Sequence, residues 1–168
     1  NYGEIGIKGS WKDSVFNDWK DQNYILKKED LNTLYTNIGN KKVKLKDIKG
    51  WILVDTWHSR CGGCFWFMQY LSSKESEFKN RNIKVMSINN REKPSDYIRE
   101  FCKKQDVIME NLYFTKPNKM FCKIYPTVML ISPDKKIVYK NDASSLKIED
   151  LLKDIDKIIE NYNKENKR

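Results

Sequence analysis

Two thiols separated by two glycines, Cys61-Gly62-Gly63-Cys64, are the residues of this chain best suited to chemistry. A thiolate is a nucleophile toward disulfides. A pair at this spacing can therefore pass two electrons by exchange, the first Cys attacking and the second resolving the mixed disulfide that forms. The same C-x-x-C could be half of a zinc site. That site would have to recruit Cys102 and Cys122, which are unpaired positions 20 residues apart. Six residues before Cys61 stands Asp55, flanked at alternate positions by Leu53 and Trp57. Burial on that face would raise its pKa and suit it to general-base work near neutral pH, although a hydrogen-bonded structural Asp at a strand end would look the same. Arg60, next to Cys61, is a cation that would favour a thiolate, or else a solvent-facing loop residue. His58, the chain's one histidine, reads as an exposed loop residue or as a second source of positive charge.

The elements around these residues follow from pattern. Trp51 to Trp57 reads as a strand, and Cys61 to about Asn80 as a long helix with Phe65, Met68, Leu71 and Phe78 facing inward. A helix starting at Cys61 offers it free N–H groups and the positive end of the dipole. Lys42–Leu45, Ile83–Ile88, Leu112–Phe114, Tyr125–Ile131 and Lys136–Tyr139 read as further strands. A helix from Pro94 to about Lys104 and a last helix from Leu146 to Tyr162 complete the order β-β-α-β-α-β-β-β-α. That order implies a mixed α/β sheet covered on both faces. Residues 1–33, polar with scattered aromatics and room for a helix or two after Ser14, read as an N-terminal extension, and 34–168 as the main domain.

With 168 residues, 39% hydrophobic and 12% aromatic, the chain is globular and has no apolar run long enough to span a membrane. Its net charge of +9 comes from lysines interspersed with acids, the look of a solvated surface rather than a nucleic-acid stripe. The denser Lys41–Lys46 segment alternates with apolar residues, as a half-buried strand with a basic outer face would. The first residue is Asn1, and a targeting segment removed before it is the expectation.

Four segments together resemble the thioredoxin fold and, within it, the extracytoplasmic TlpA/ResA-like thiol–disulfide oxidoreductases related to the AhpC/TSA family. They are the lead-in Gly39–Gly50, the strand and dithiol Ile52–Cys64, the Tyr125-Pro126-Thr127 loop, and the hairpin Ile131–Val138. The 65 residues from Cys61 to Pro126 leave room for the inserted helix and strand of TlpA-like members, between the active-site helix and the cis-proline strand. The resemblance implies Cys61 as nucleophile, Cys64 as resolving thiol and Asp55 as proton relay. Tyr125, Pro126 and Trp57 would bind substrate, and Arg60, where relatives carry Trp, would tune the site electrostatically. Protein or peptide thiols and disulfides would be the substrates, with an upstream redox partner, no nucleic acid, no metal and no cofactor. Reduction of substrates outside the cytoplasm (periplasm or cell envelope), with a membrane tether beyond this chain, is the implied setting. Phe67 and Gln69 stand where relatives carry an acid and a helix-kinking proline. These departures imply a straighter helix and, with Phe65 and Trp66, an apolar surface for substrate or partner. Cys102 and Cys122 read as small buried thiols, or as a second disulfide. A redox-inert binding module and a thiol peroxidase, with His58 in the place of the peroxidase Thr, are the alternative functions.

Overall fold

The structure, a computed structural model, describes residues 26–117, 124–142 and 146–167. Cys122 and most of the N-terminal extension lie outside the described residues.

Seven strands form one mixed sheet: β1 (Tyr35–Asn37), β2 (Lys42–Val43), β3 (Trp51–Thr56), β4 (Ile83–Asn89), β5 (Leu112–Phe114), β6 (Thr127–Ile131) and β7 (Ile137–Asp142), in the order β2-β1-β5-β4-β3-β6-β7. The helices are α1 (Lys28–Asn32), α2 (Gly62–Ser73), α3 (Glu75–Asn80), α4 (Asp96–Lys104) and α5 (Leu151–Asn166). All six residues of β3 are buried, as expected of an apolar run at the centre of a sheet covered on both faces. It runs parallel to β4, with Asp55 opposite Ser87, and antiparallel to β6, with Asp55 opposite Val128.

The two-residue period of these strands builds two cores. Ile52 and Val54 pack with Met86, Ile88, Met129 and Ile131 on one face, which Leu26, Leu31, Leu45 and Ile48 cover. Leu53, Val128 and Leu130 face Phe67, Leu71, Phe78, Leu151 and Ile155 of the helical layer. Each large apolar side chain buried this completely stabilises the fold by about 1.5–3 kcal/mol. A third cluster, Trp57, Phe65, Met68, Ile98, Cys102, Leu112 and Phe114, lies around Cys64. Of the strand expected over Lys42–Leu45 only Lys42–Val43 forms, because Leu45 opens a 3-10 turn, Leu45–Asp47; Lys41, Lys42 and Lys46 are exposed around the half-buried Val43 and the fully buried Leu45.

Several boundaries differ from expectation. Strand β1 leaves no mark in the sequence pattern; three residues are too few to display an alternation, and its place is set by pairing with β2 and β5. The helix expected from Cys61 to Asn80 divides at Lys74, whose φ of −105° and ψ of 13° end α2. Ser72 and Ser73 sit there, and their hydroxyls bond elsewhere, to the Ile108 N–H and the Tyr70 carbonyl. Helix α4 begins at Asp96, because Ser95 rather than Pro94 caps it by accepting from the Ile98 N–H. A 3-10 turn, Ile148–Asp150, precedes α5. The expected apolar surface at Phe65-Trp66-Phe67 is corrected: Phe65 and Phe67 are buried on different sides of α2, and only Trp66, 65% exposed, faces solvent.

Candidate active site

The end of β3 delivers the chain into the turn 57–61 and then into α2. Cys61 is the N-cap of that helix, and its Sγ accepts the Cys64 N–H at 3.2 Å. Cys61 and Cys64 are joined as a disulfide, S–S 2.06 Å with Cα atoms 5.3 Å apart. Cys61 is half-buried whereas Cys64 is fully buried, its Sγ 3.9 Å from the Thr56 carbonyl oxygen. The outer sulfur is thus the more accessible of the two. A Cβ added at Gly62 or Gly63 would meet nothing within 4 Å beyond its chain neighbours and the backbone of its own helix.

Asp55 is fully buried, on the same face as Leu53 and one residue from the carbonyl that touches Cys64. Ser87 donates to its Oδ2 at 3.2 Å, while Oδ1 has no partner among the described residues. Burial raises its pKa well above the usual carboxylate range, against the smaller opposing effect of the Ser87 and Thr56 hydrogen bonds.

The Tyr125-Pro126 peptide is cis. Thr127, next in the chain, is tied to the end of β3: its N–H donates to Thr56 Oγ1 at 2.8 Å, and that hydroxyl donates to the Thr127 carbonyl at 3.1 Å. Tyr125 donates its hydroxyl to Asn90 Oδ1 at 2.6 Å and meets the His58 ring edge-on at 4.9 Å. The Arg91 guanidinium lies 5.0 Å from the centre of the same Tyr125 ring. Three loops therefore meet beside the turn that leads to Cys61: the turn after β3, the loop after β4, and the loop before β6.

Trp57 does not take the substrate-facing place the resemblance gave it. It is completely buried, edge-on to Phe65 and Phe114 at 6.0 and 5.8 Å, and supports the dithiol turn from behind. Arg60 is exposed beside Cys61. His58 is held neutral rather than charged: burial, then the nearby Arg91, lowers its pKa, and its Nδ1 accepts the Arg60 N–H at 3.3 Å. Gln69, in place of the expected proline, donates to the Gln105 carbonyl at 2.8 Å and so ties α2 to the end of α4. Cys102 is a buried free thiol whose pKa burial pushes up to about 11, out of range of thiolate chemistry at neutral pH.

Sequence reasoning missed Glu92. Its carboxylate accepts the Ser59 N–H at 2.9 Å, a short bond from the Ser59 hydroxyl, and Asn89 Nδ2 at 2.7 Å. Burial opposes its ionisation, but these hydrogen bonds outweigh burial and hold its pKa below the ordinary range. Asn89 in turn accepts the Arg91 and Glu92 N–H groups. This clamp fixes the turn before Cys61 to the loop after β4. The partners are 33 residues apart, and no motif announces them.

A disulfide capping a helix behind a buried acid, with a cis-proline loop alongside, on a sheet of this order, defines a thioredoxin-fold thiol–disulfide protein. Residues 27–140 match the AhpC/TSA family, and the chain belongs to it. No curated protein matches the chain. Among solved structures, a thiol:disulfide interchange protein from Bacteroides sp. is 21% identical with a TM-score of 0.58, covering 74% of this chain and 84% of its own. The exposed lipoprotein thioredoxin of Streptococcus pneumoniae is 18% identical, TM-score 0.55, with 72% and 97% covered. A variant of peroxiredoxin Q from Xanthomonas campestris is 12% identical, TM-score 0.61, with 83% and 96% covered. At these identities the likeness is one of fold.

Proposed function

We propose that this protein reduces disulfides in protein substrates, as a TlpA/ResA-like member of its family acting outside the cytoplasm. The observation that carries the reading is the Cys61–Cys64 pair at the start of α2, one sulfur accessible and the other buried behind it. In the reduced protein the Cys61 thiolate attacks a substrate disulfide sulfur, forming a mixed disulfide and releasing one substrate thiolate. Cys64 gives its proton to Asp55 and attacks Cys61 Sγ, releasing the second substrate thiolate. Two electrons pass to the substrate, which takes up two protons, and an upstream dithiol reductant restores the pair. The helix N-terminus and Arg60 stabilise the Cys61 thiolate, and the Tyr125-Pro126 loop lies alongside to receive the substrate chain. The pneumococcal neighbour described as an exposed lipoprotein supports an extracytoplasmic setting, in which a membrane tether would lie outside this chain.

Insulin reduction tests the reading. Cys61→Ser is expected to abolish turnover, whereas Cys64→Ser arrests it after one mixed disulfide that a mass measurement detects. Unchanged turnover in both variants would overturn the reading, and a wild type that reduces no insulin and whose Cys61 alkylates with an unperturbed titration would be a binding module instead. Peroxidase activity has less support, because His58, held neutral, stands where a peroxidase has its Thr hydroxyl.

A further inference from the structure

Two guanidinium groups stand at the mouth of the dithiol, and neither is in an ion pair among the described residues. Arg60 is exposed immediately before Cys61, and Arg91 is exposed over the Tyr125 ring. Both lie within electrostatic range of His58, the side chain that joins the dithiol turn to Tyr125. His58 is neutral and adds no charge of its own. The carboxylate that shares this neighbourhood, Glu92, is turned inward, its oxygens already accepting from Ser59 and Asn89. The mouth is therefore net positive, with one guanidinium beside Cys61 and the other over the Tyr125 ring, and neither in an ion pair among the described residues.

A substrate must present its disulfide sulfur to Cys61 while its chain lies along Tyr125. At roughly 3.3 Å per residue in an extended chain, the residues one and two positions from its cysteine fall within reach of both guanidinium groups. Arg is suited to this because its planar fork meets carboxylates with two parallel hydrogen bonds. We infer that Arg60 and Arg91 select protein disulfides flanked by acidic side chains, so that the substrate class is an acidic peptide segment around its cysteine. This inference rests on the thiol-exchange reading above.

The test uses the reduced protein and two peptide disulfides identical except that the cysteine is flanked by Asp in one and by Lys in the other. The readout is the ratio of their second-order rate constants, which cancels any change in the intrinsic reactivity of Cys61. At low ionic strength the wild type is expected to favour the acidic peptide by about tenfold, and added salt of about 0.5 M shrinks that preference severalfold. Arg60→Gln and Arg91→Gln each lower the ratio by about threefold. Lys157→Gln removes the same charge from α5, whose neighbouring Asp156 binds Arg81 just before β4 begins, and leaves the ratio unchanged. Equal rates for the two peptides, or a preference untouched by both Arg variants, would overturn the inference while leaving thiol exchange standing. Glutathione disulfide outrunning both peptides would overturn it in favour of a small anionic substrate. If neither peptide is reduced, the thiol-exchange reading itself falls, and the inference with it.

Discussion

Asp55 carries an energetic cost that only its position explains. Its folded pKa lies above its unfolded value, ordinarily about 4. Its contribution to stability is therefore fully present below about pH 4 and is lost as the pH rises through the folded pKa. Asp55→Asn cannot ionise and is expected to raise Tm at pH 8, by about 2–4 °C for each kcal/mol recovered, with no gain at pH 4. The same variant should slow resolution, so that mixed disulfide accumulates during turnover. Thermal scans at the two pH values, together with quenched mass measurements, check both halves. A carboxyl that stabilises the neutral fold, and whose loss leaves resolution unaffected, would be structural rather than a relay. At this scale the sequence was readable where a residue's own neighbours decide its environment. Leu53, Asp55 and Trp57 alternate, and all three are buried. It was unreadable where the partner is remote: nothing near Ser59 points to Glu92, and nothing in Trp57 says that Phe114 closes over it.

The elements show the same division. The apolar run of β3, the inward Phe65, Met68 and Leu71 of α2 and the hairpin of β6 and β7 were legible because their patterns are long enough to count, whereas Phe67, read as surface, packs on a second side of α2. β1 and the break at Lys74 were not, since one is fixed by its neighbours in the sheet and the other by the Lys74 backbone beside a Ser72 hydroxyl that accepts from Ile108 off the helix. Gly50 is a residue on which an element depends. It has a φ of +78° just before β3, and a Cβ there would come within 2.9 Å of Asn82 Nδ2. Gly50→Ala combines left-handed backbone strain with that clash and should destabilise by about 1–2 kcal/mol or more. Denaturant titration measures the loss. Because the turn lies at the start of β3 and the dithiol beyond its end, the alkylation rate of reduced Cys61 should not change.

For the molecule as a whole, the decisive fact is that two cores share the same strands. Ile52 and Val54 point into one, Leu53 into the other, and β4 and β6 divide in the same way. Neither face can lose its packing while the other keeps its strands in register. Unfolding is therefore expected as one cooperative transition, with tryptophan fluorescence and far-ultraviolet circular dichroism coincident. Val54→Ala and Leu53→Ala, acting on opposite faces, should lower the same midpoint, each by about 1–4 kcal/mol. Two separated transitions would mean that the layers are independent. The site draws on this shared frame: the loops that meet beside the turn leading to Cys61 leave from β3, β4 and β6, the strands common to both cores.

The openness around Gly62 and Gly63 has a practical side. Since no neighbour confines either position, the pair works as an interchangeable cartridge. Alanine at either place should strengthen the first turn of α2 by roughly 0.5–1 kcal/mol, and bulkier or charged residues could be installed with the core untouched. A single folded scaffold could in this way carry a graded series of redox potentials, each variant differing from the next only between its two sulfurs.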